Sequence, residues 1–234
     1  MARAIPADRF QQLVDCATQV FIEQGYARTQ MADVAEAMGV AKGTLYLYVE
    51  SKEALFDLVV RSLHPEHPVT TPSKLPHPTP RPGATQQYLR KRVAKQAPSP
   101  ALLTALARKR VADPRAELAE VIREIYRSLS RNRRGIKLMD RSAQFHPELA
   151  AVWFDGGRGA LIRGLSSYLK SRIERQLFRP VPDTDVAARV ILETLVTWAV
   201  HRHWDPSPQK IDDQIAEDTV VQFIVGGLTP ELQT

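Results

Sequence analysis

Apolar residues recur every three to four positions along most of the chain, which is the spacing of amphipathic α-helices. Convincing strand patterns, with apolar and polar positions in strict alternation, do not occur, and neither does an internal repeat. The pattern therefore predicts an all-α protein.

The first part of this pattern predicts four helices within about 60 residues, joined by short turns. The first helix covers about residues 8–24 and ends at Gly25, a residue type at which helices commonly stop. The fourth begins after Ser51, whose hydroxyl suits a helix N-terminus. Between them, the second and third helices are separated only by Gly39 and Val40. A compact N-terminal domain over residues 1–63 is predicted.

The second and third helices, at about residues 30–49, have the layout of a helix-turn-helix. Four apolar residues at helical spacing give the second helix its inward face, and Leu45 and Val49 do so for the third, predicted over about 41–49. The outward positions of the third helix are Lys42, Gly43, Thr44, Tyr46 and Tyr48. A motif of this kind places the N-terminal residues of its second helix in the major groove of DNA.

Composition changes between residues 64 and 100, where nine prolines occur. Residues 64–83 are predicted to be extended or disordered, and residues 84–96 to form a short basic helix that carries Arg90, Lys91 and Arg92. A linker or insert is the preferred interpretation. The alternative is a mobile arm whose cations contact DNA phosphates.

Helical spacing resumes after Pro100, in a predicted C-terminal domain over residues 101–234. Glycines at 156, 157 and 159 predict a kink or close contact in the longest of its helices. The predicted helices cover about residues 101–111, 114–130, 135–144, 147–177, 183–204 and 209–225.

The last two helices are apolar over a wide arc and therefore need cover on more than one side. A core within one subunit is one interpretation. We favour packing against the same helix pair in a second copy, because a two-fold dimer suits a palindromic DNA site. The residues assigned to this homodimer interface are Ile191, Leu195, Trp198, Val220, Phe223 and Ile224.

Charge does not by itself mark the helix-turn-helix. The chain carries a net charge of +6, but Lys and Arg number 6 against 8 Asp and Glu up to residue 63. The counts are 16 against 6 from residue 64 to 140, and 10 against 12 thereafter. Binding of DNA phosphates by the motif must therefore depend on a few placed cations.

No apolar run approaches the ~20 residues of a membrane-spanning helix, and the N-terminus lacks the apolar stretch of a signal peptide. With Cys16 as its single cysteine, the chain has no internal disulfide, and a buried structural thiol is favoured over a redox role. A cytoplasmic protein without a membrane partner is expected.

The N-terminal pattern resembles the TetR/AcrR family of bacterial transcriptional regulators over about residues 8–60. Beyond that point only the architecture is similar, an all-helical domain that ends in two dimerising helices. Ala41 and Val49 depart from the family, which often has Ser or Thr at the first position and Phe at the second. The residues that carry the resemblance are Gly25-Tyr26, Thr29, Val34-Ala35, Gly39-Val40, Lys42–Tyr46, Tyr48 and Ser51–Leu55.

The resemblance implies how double-stranded operator DNA is bound. Lys42, Gly43 and Thr44 would reach base edges, because Gly43 lets the backbone approach closely. Tyr46, Tyr48 and Lys52 would contact phosphates, which position the protein without specifying sequence. The full set of implied DNA-contacting residues is Arg28, Thr29, Gln30, Ala41, Lys42, Gly43, Thr44, Tyr46, Tyr48 and Lys52.

The resemblance also implies an effector pocket among the C-terminal helices. We expect a small apolar or aromatic effector. An anionic ligand attracted by Arg131, Arg133, Arg134 and Lys137 is the alternative. The candidate lining residues are Tyr126, Met139, His146, Trp153, Phe154 and Tyr168.

Other chemistry is not indicated. No nucleophile motif, phosphate-binding glycine loop or carboxylate pair predicts an enzyme. The His64/His67 and His201/His203 pairs lack further ligands, so neither a metal nor a cofactor is expected. The predicted function is a DNA-binding transcriptional regulator, a dimeric repressor released from a palindromic operator by a small molecule. The alternative is a DNA-binding or helical interaction protein that needs no effector.

Overall fold

The computed structural model of the chain describes residues 7–63, 72, 74–95, 99–143, 147–207 and 209–230. Within these residues the regular secondary structure is helical, and the β-type pairing consists of one isolated bridge between Val49 and His77. The all-α prediction is therefore confirmed.

The chain divides into two compact units. The first joins residues 1–92 to residues 134–153, and the second joins residues 93–133 to residues 154–234. These units do not coincide with the linear boundaries at 63 and 100 suggested by composition, because two further segments pack with the N-terminal helices. The helices that lie wholly or largely in the first unit are α1 (Ala7–Gln24), α2 (Met31–Met38), α3 (Lys42–Leu45), α4 (Lys52–Ser62), α5 (Ala84–Lys95), α8 (Arg133–Ala143) and α9 (Pro147–Ala150).

The core of the first unit is built around aromatic rings of α1 and α4. Phe21 and Phe56 pack edge to face with ring centroids 5.3 Å apart, and Tyr26 lies 4.7 Å from Phe56. The predicted cap of α4 is confirmed, since the Ser51 hydroxyl accepts a hydrogen bond from the Ala54 N–H at 3.1 Å. Such a cap satisfies one of the four backbone N–H groups that a helix start leaves unpaired.

The helix α8 packs against α1 within the first unit. Arg134 on α8 forms an ion pair with Asp15 on α1 at 3.2 Å. Gly25, which ends α1 with a φ of +78°, has so little room that a Cβ there would lie 3.1 Å from the Arg141 carbonyl oxygen. A segment distant in sequence is thereby fixed to the connection between α1 and α2.

The second unit contains α6 (Pro100–Ala107), α7 (Pro114–Arg131), α10 (Gly159–Glu174), α11 (Thr184–Ala199) and α12 (Asp213–Leu228). Its core holds a fully buried cation, Arg172, whose Nε donates to Glu117 Oε1 at 2.8 Å. The Tyr168 hydroxyl donates to the same oxygen at 3.2 Å, and Arg108 binds Glu117 Oε2 at 3.1 Å. The buried charges are paired, as a low-dielectric interior requires.

Four predicted helices of the C-terminal half differ from the structure, and the one expected over 101–111 ends at Ala107. The helix expected over 147–177 is interrupted by a π-helical segment, Ala151–Arg158, which contains two of the glycines that predicted an irregularity. The helix expected over 183–204 ends at Ala199 and is followed by a short 3₁₀ helix, His201–Trp204. The last helix begins at Asp213 instead of residue 209, because Asp212 caps it.

Candidate nucleic-acid interface

The turn between α2 and α3 forms as the sequence predicts. Gly39 adopts the left-handed conformation, with a φ of +68°, and its N–H bonds to the last carbonyls of α2. This is the geometry that ends a helix in one residue and favours glycine. The inward faces are also confirmed, because Met31, Val34, Ala35 and Met38 of α2 are buried, as are Leu45 and Val49.

Most residues predicted to contact DNA lie at the surface of this motif. Lys42 and Gly43 are exposed in α3, Thr44 is half-buried, and Tyr46 follows on an exposed turn. A Cβ at Gly43 would meet nothing within 4 Å, so packing inside the protein does not require glycine there. The remaining predicted positions with exposed side chains are Arg28, Gln30 and Ala41.

Tyr48 does not face outward as predicted. The helix α3 ends at Leu45, and the next residues form a turn in which Leu47 N–H bonds to Thr44 O and Tyr48 N–H to Leu45 O. Bonds between residues three apart give three residues per turn, which places Tyr48 over the buried Leu45. Tyr48 is therefore only 6% exposed, whereas Leu47 is 61% exposed. The α-helical spacing assumed over 41–49 was wrong.

Thr29 is also buried, against the expectation of a surface contact. Its hydroxyl donates to the Gly25 carbonyl at 2.8 Å and so closes the connection between α1 and α2. The backbone N–H of the neighbouring Gln30 is taken by the Asp33 carboxylate at 2.8 Å. These bonds fix the start of α2, leaving Arg28 and Gln30 as the exposed side chains on either side of Thr29.

Lys52 is held by the protein itself. Its ammonium donates to the carbonyls of Tyr26 at 3.0 Å and Thr29 at 3.1 Å, and it lies 4.6 Å from the centre of the Tyr26 ring. The Tyr26 hydroxyl in turn donates to Glu53 at 3.0 Å. Burial and the charge of Glu53 raise the pKa of Tyr26 well above its usual value. Lys52 thus positions the entry to α2, and a phosphate contact from it remains a prediction.

Part of the proline-rich region is ordered beside the motif. We name residues 74–83 the strap. The His77 N–H donates to the Tyr48 carbonyl at 2.7 Å, and the His77 carbonyl accepts from the Glu50 N–H at 3.0 Å. Thr79 adds bonds from its N–H to the Glu50 carboxylate at 2.8 Å and from its hydroxyl to Ser51 Oγ at 2.9 Å. Residues 74–83 are not helical, as predicted, and they contain bends at 74–76 and a turn at 82–83. Residues 64–71 and 73 lie outside those that the structure describes.

The helix α5 continues from the strap along α4. Thr85 donates to Asp57 Oδ1 at 2.7 Å, and the guanidinium of Arg61 lies 4.4 Å from the Tyr88 ring. Farther along, Arg92 donates to the carbonyls of Val60 at 3.4 Å and Leu63 at 3.3 Å, at the end of α4. Residues 84–92 are therefore part of the N-terminal unit and not a free arm.

Comparison with known proteins agrees with this geometry. Residues 13–59 match the family described as bacterial regulatory proteins, tetR family. The N-terminal domain belongs to the TetR family. The regulator TtgR of Pseudomonas putida is 38% identical over 56 residues, which cover 24% of this chain and 27% of TtgR. The fatty acid metabolism regulator protein of Bacillus subtilis is 42% identical over 45 residues, 19% of this chain and 23% of that protein. The chain thus spans about a quarter of the length of the curated relatives it matches.

Solved structures extend the likeness in fold to the whole chain. The ketosteroid regulator KstR2 of Mycobacterium tuberculosis aligns over 97% of this chain and 98% of its own, with a TM-score of 0.57 and 18% identity. The TetR-family regulator PfmR of Thermus thermophilus aligns over 97% and 100%, with a TM-score of 0.53 and 22% identity. At these identities the comparison establishes the TetR-type helical fold and nothing about ligands.

The predicted effector-pocket residues of this TetR-type chain are divided between the two units. Met139 and Trp153 belong to the first, where Trp153 donates to Asp140 at 2.6 Å. Phe154 and the buried tyrosines belong to the second, where the Tyr126 hydroxyl donates to the Trp198 carbonyl at 3.3 Å and Tyr168 binds Glu117. His146 lies outside the described residues. The lining of an effector pocket by these residues remains a prediction.

The second unit does contain a cleft of about 330 Å³ between α6 and α7. Its wall is mixed, because three carboxylates and one guanidinium stand beside apolar Pro and Ala side chains. The lining residues are Pro100, Ala101, Thr104, Ala105, Arg108, Glu117, Glu120 and Glu124. None of the residues predicted to bind an effector is among them.

Two of the four cations of the alternative anion site form ion pairs within the chain. Arg133 binds Asp213 at 3.1 Å in the second unit, and Arg134 binds Asp15 in the first. In the part of the chain that the structure describes, no group of three or more His, Cys, Asp or Glu side chains is placed to hold a metal ion. Among the same residues, no helix combines the length and apolar character needed to cross a bilayer.

The predicted dimer residues fall into two groups. Trp198 and Phe223 are exposed, whereas the other four are buried in the subunit's own core. The assignment of those four to a surface was wrong, because a helix that is apolar on a wide arc can bury one side internally and expose the other. The apolar pattern alone does not distinguish the internal side of such a helix from its exposed side. The buried four are Ile191, Leu195, Val220 and Ile224.

Proposed function

We propose that the chain is a TetR-type transcriptional regulator, a homodimer that represses from a palindromic operator and is released by a small molecule. The observation that carries this proposal is the set of polar side chains at the surface of a helix-turn-helix whose inward face is buried. Arg28, Gln30, Lys42 and Tyr46 are exposed on this surface, and Thr44 is half-buried.

Each of these residues has a chemical role toward DNA. Lys42 and Thr44 carry donors that suit base edges in the major groove, and the open space at Gly43 allows the backbone to approach. Arg28 and the Tyr46 hydroxyl suit phosphates, which orient the protein. Lys52 positions the entry to α2, because its ammonium donates to the carbonyls of Tyr26 and Thr29. Tyr48 is no longer assigned a contact.

Dimerisation is proposed through the outer faces of α11 and α12. Ile215 is 63% exposed and Phe223 is 80% exposed, and they lie eight residues apart on one side of α12. Val186, Val190 and Trp198 form a corresponding exposed apolar row on α11. Large apolar side chains arranged this way mark a protein interface more often than a free surface. A two-fold pair of such faces would place two helix-turn-helix motifs on two half-sites.

Dimerisation has a direct test. Phe223→Glu places a charge in the proposed interface and should give a monomer of about half the mass by light scattering after size exclusion. Gln222→Glu adds the same charge at an adjacent position that is polar already, and it should stay dimeric. A dimeric Phe223→Glu protein, or a monomeric wild type, would remove this interface from the proposal.

For the effector we propose a small apolar or aromatic molecule. Coenzyme A thioesters belong in the first panel, because a regulator of similar fold, AibR, was solved with isovaleryl coenzyme A and operator DNA, at a TM-score of 0.51. A thermal shift panel of apolar acids, aromatic compounds, thioesters and inorganic anions separates the classes. Hits confined to the inorganic anions would reject the apolar effector.

The alternative is an effector-independent DNA-binding or helical interaction protein, and the three carboxylates in the wall of the cleft favour it, because they suit an apolar effector poorly. Selection of duplexes from a random-sequence pool by the full-length protein, followed by addition of the effector panel, distinguishes these functions. It also shows whether the protein binds DNA at all. The regulator should enrich an inverted repeat, and effector addition should release it. Enrichment without release by any panel member supports the alternative, and no enrichment at all rejects DNA binding.

A further inference from the structure

We propose that the strap supplies a second set of phosphate contacts beside the helix-turn-helix, made by Lys74 and Arg81. This inference rests on the proposed DNA-binding function and extends it to a segment that the family match does not cover. Its basis is the attachment of the strap to residues 48–51, directly after the recognition helix α3, with an exposed cation on either side of that attachment.

The attachment determines where these cations are. His77 exchanges two backbone hydrogen bonds with Tyr48 and Glu50, at 2.7 and 3.0 Å, and Thr79 is bonded to Glu50 and Ser51. Lys74 precedes His77 by three residues, and Arg81 follows Thr79 by two. Three extended residues span at most about 10 Å. Both cations therefore branch from backbone within about that distance of the turn after α3.

Their surroundings leave them available to an anion. Lys74 and Arg81 are exposed, and the side chain of neither forms a hydrogen bond or ion pair with another described residue. Neighbouring cations of the same unit are engaged: Arg61 binds Asp57, Arg92 binds backbone carbonyls, and Lys52 binds two more. The free pair thus differs from cations that serve the fold.

Duplex DNA is the anion that fits this position. It carries one phosphate charge per ~1.7 Å of helix axis, so a duplex seated on α3 presents several phosphates over the distance to the strap. The motif itself needs such help, because residues 1–63 carry more Asp and Glu than Lys and Arg. The strap adds positive charge next to the reading helix without changing the residues that face the bases.

The same unit offers a matched control. The helix α5 runs alongside α4 in the same direction, since Thr85 meets Asp57 and Arg92 meets Leu63. Arg90 and Lys91 are exposed near the far end of α5, about 10 Å of helix beyond its first residue. Removing their charges changes the net charge as much as removing those of Lys74 and Arg81, but away from the recognition helix.

The experiment measures the salt dependence of DNA binding by the full-length protein. The probe is a duplex that the wild type enriches from a random-sequence pool, titrated between 50 and 200 mM KCl. Each phosphate contact contributes about 0.9 to the slope of log affinity against log salt. With two strap contacts per subunit of a dimer, K74Q/R81Q should lower the slope by about 3.6. Its affinity should then fall about 150-fold less than that of the wild type over this range.

Two further variants make the result specific. R90Q/K91Q should keep the wild-type slope, and K74R/R81K, which conserves both charges, should restore it. A K74Q/R81Q protein with the slope of the wild type overturns the inference and leaves DNA binding intact. A decrease in slope for R90Q/K91Q as large as that for K74Q/R81Q also overturns it. A K74R/R81K protein that behaves like K74Q/R81Q overturns it too, because a phosphate contact requires only the charge. If the wild type enriches no duplex, the proposed function fails first, and this inference fails with it.

Discussion

Asp57 is a buried carboxylate through which α4 holds α5, and replacing it tests whether α5 is a fixed part of the DNA-binding unit. Its oxygens accept hydrogen bonds from Arg61 Nε at 2.7 Å and from the Thr85 hydroxyl at 2.7 Å, and His77 Nε2 lies 3.6 Å away. Asp57→Asn keeps the shape of the side chain and removes its charge. The amide then presents a donor where two donors already point.

The cost follows from the two partners, Thr85 and Arg61, the second of which donates through both Nε and Nη2. Hydrogen bonds to a charged group contribute about 1.5–3 kcal/mol each. The Arg61 side chain is 43% exposed, so solvent screening reduces that pair to at most about 1 kcal/mol. The bond from the buried Thr85 keeps a value of about 1.5 kcal/mol. We therefore expect Asp57→Asn to lower the local free energy of unfolding by about 2 kcal/mol, allowing for non-additivity.

Hydrogen exchange followed by mass spectrometry measures this change at the α5 amides themselves, whether or not the two units unfold together. Amides of residues 84–92 should exchange about 30-fold faster in the variant, since 1.4 kcal/mol corresponds to tenfold. Asp15→Asn is the control: its ion pair with Arg134 is half-exposed on both sides and should contribute under about 1 kcal/mol. Equal exchange in the two variants would refute the role given to Asp57.

The same carboxylate predicts a pH dependence. Burial opposes the ionisation of Asp57, but the hydrogen bonds from Arg61 and Thr85 outweigh it, so the pKa lies below the usual value of 3.8. A group with a lowered folded-state pKa stabilises the fold above its unfolded pKa, and this contribution is lost as the pH falls. Protection of α5 should therefore decrease below about pH 4 in the wild type. The Asp57→Asn protein should lack this decrease.

Two substitutions test the cores of the two units. Gly25→Ala should lower the melting temperature more than Gly39→Ala, because both positions have a positive φ but only the first would place a Cβ against the Arg141 carbonyl; similar shifts would contradict this. Arg172→Met should lower the free energy of unfolding, measured by urea denaturation, by about 3–5 kcal/mol, because it leaves Glu117 buried without its closest cation. Adding Glu117→Leu should recover most of that loss, and a double variant as unstable as the single one would argue against the pairing.

Local pattern was sufficient for the elements that a single stripe of apolar residues specifies. The inward face of α2, the turn at Gly39 and the cap at Ser51 all follow from residues within one helix turn of each other, and the structure confirms them. The error at Tyr48 arose where the helical period changes. Bonds from Leu47 to Thr44 and from Tyr48 to Leu45 tighten the turn, and no single residue type announces such a change.

The local pattern of apolar residues does not predict contacts between segments that are distant in sequence. Nothing in the residues around His77 indicates that its backbone pairs with Tyr48 and Glu50, because backbone hydrogen bonding does not depend on side-chain type. The binding of Lys52 by two backbone carbonyls cannot be predicted from the sequence for the same reason. The buried pair of Arg172 and Glu117 is 55 residues apart and was not foreseen. Charged residues are mostly exposed, so a sequence alone favours the surface for both.

The most direct test of the central claim is the difference in affinity between two duplexes of equal length and composition. One contains the inverted repeat enriched by the wild type, and the other is its scrambled version, both measured by fluorescence anisotropy at one salt concentration. The wild type should prefer the enriched duplex by at least about 10³-fold. Lys42→Met removes one base contact from each half-site of the proposed dimer, and each contact contributes about 1–3 kcal/mol, so that preference should fall at least about 30-fold. Equal affinity of the wild type for both duplexes would contradict sequence-specific reading by the helix-turn-helix.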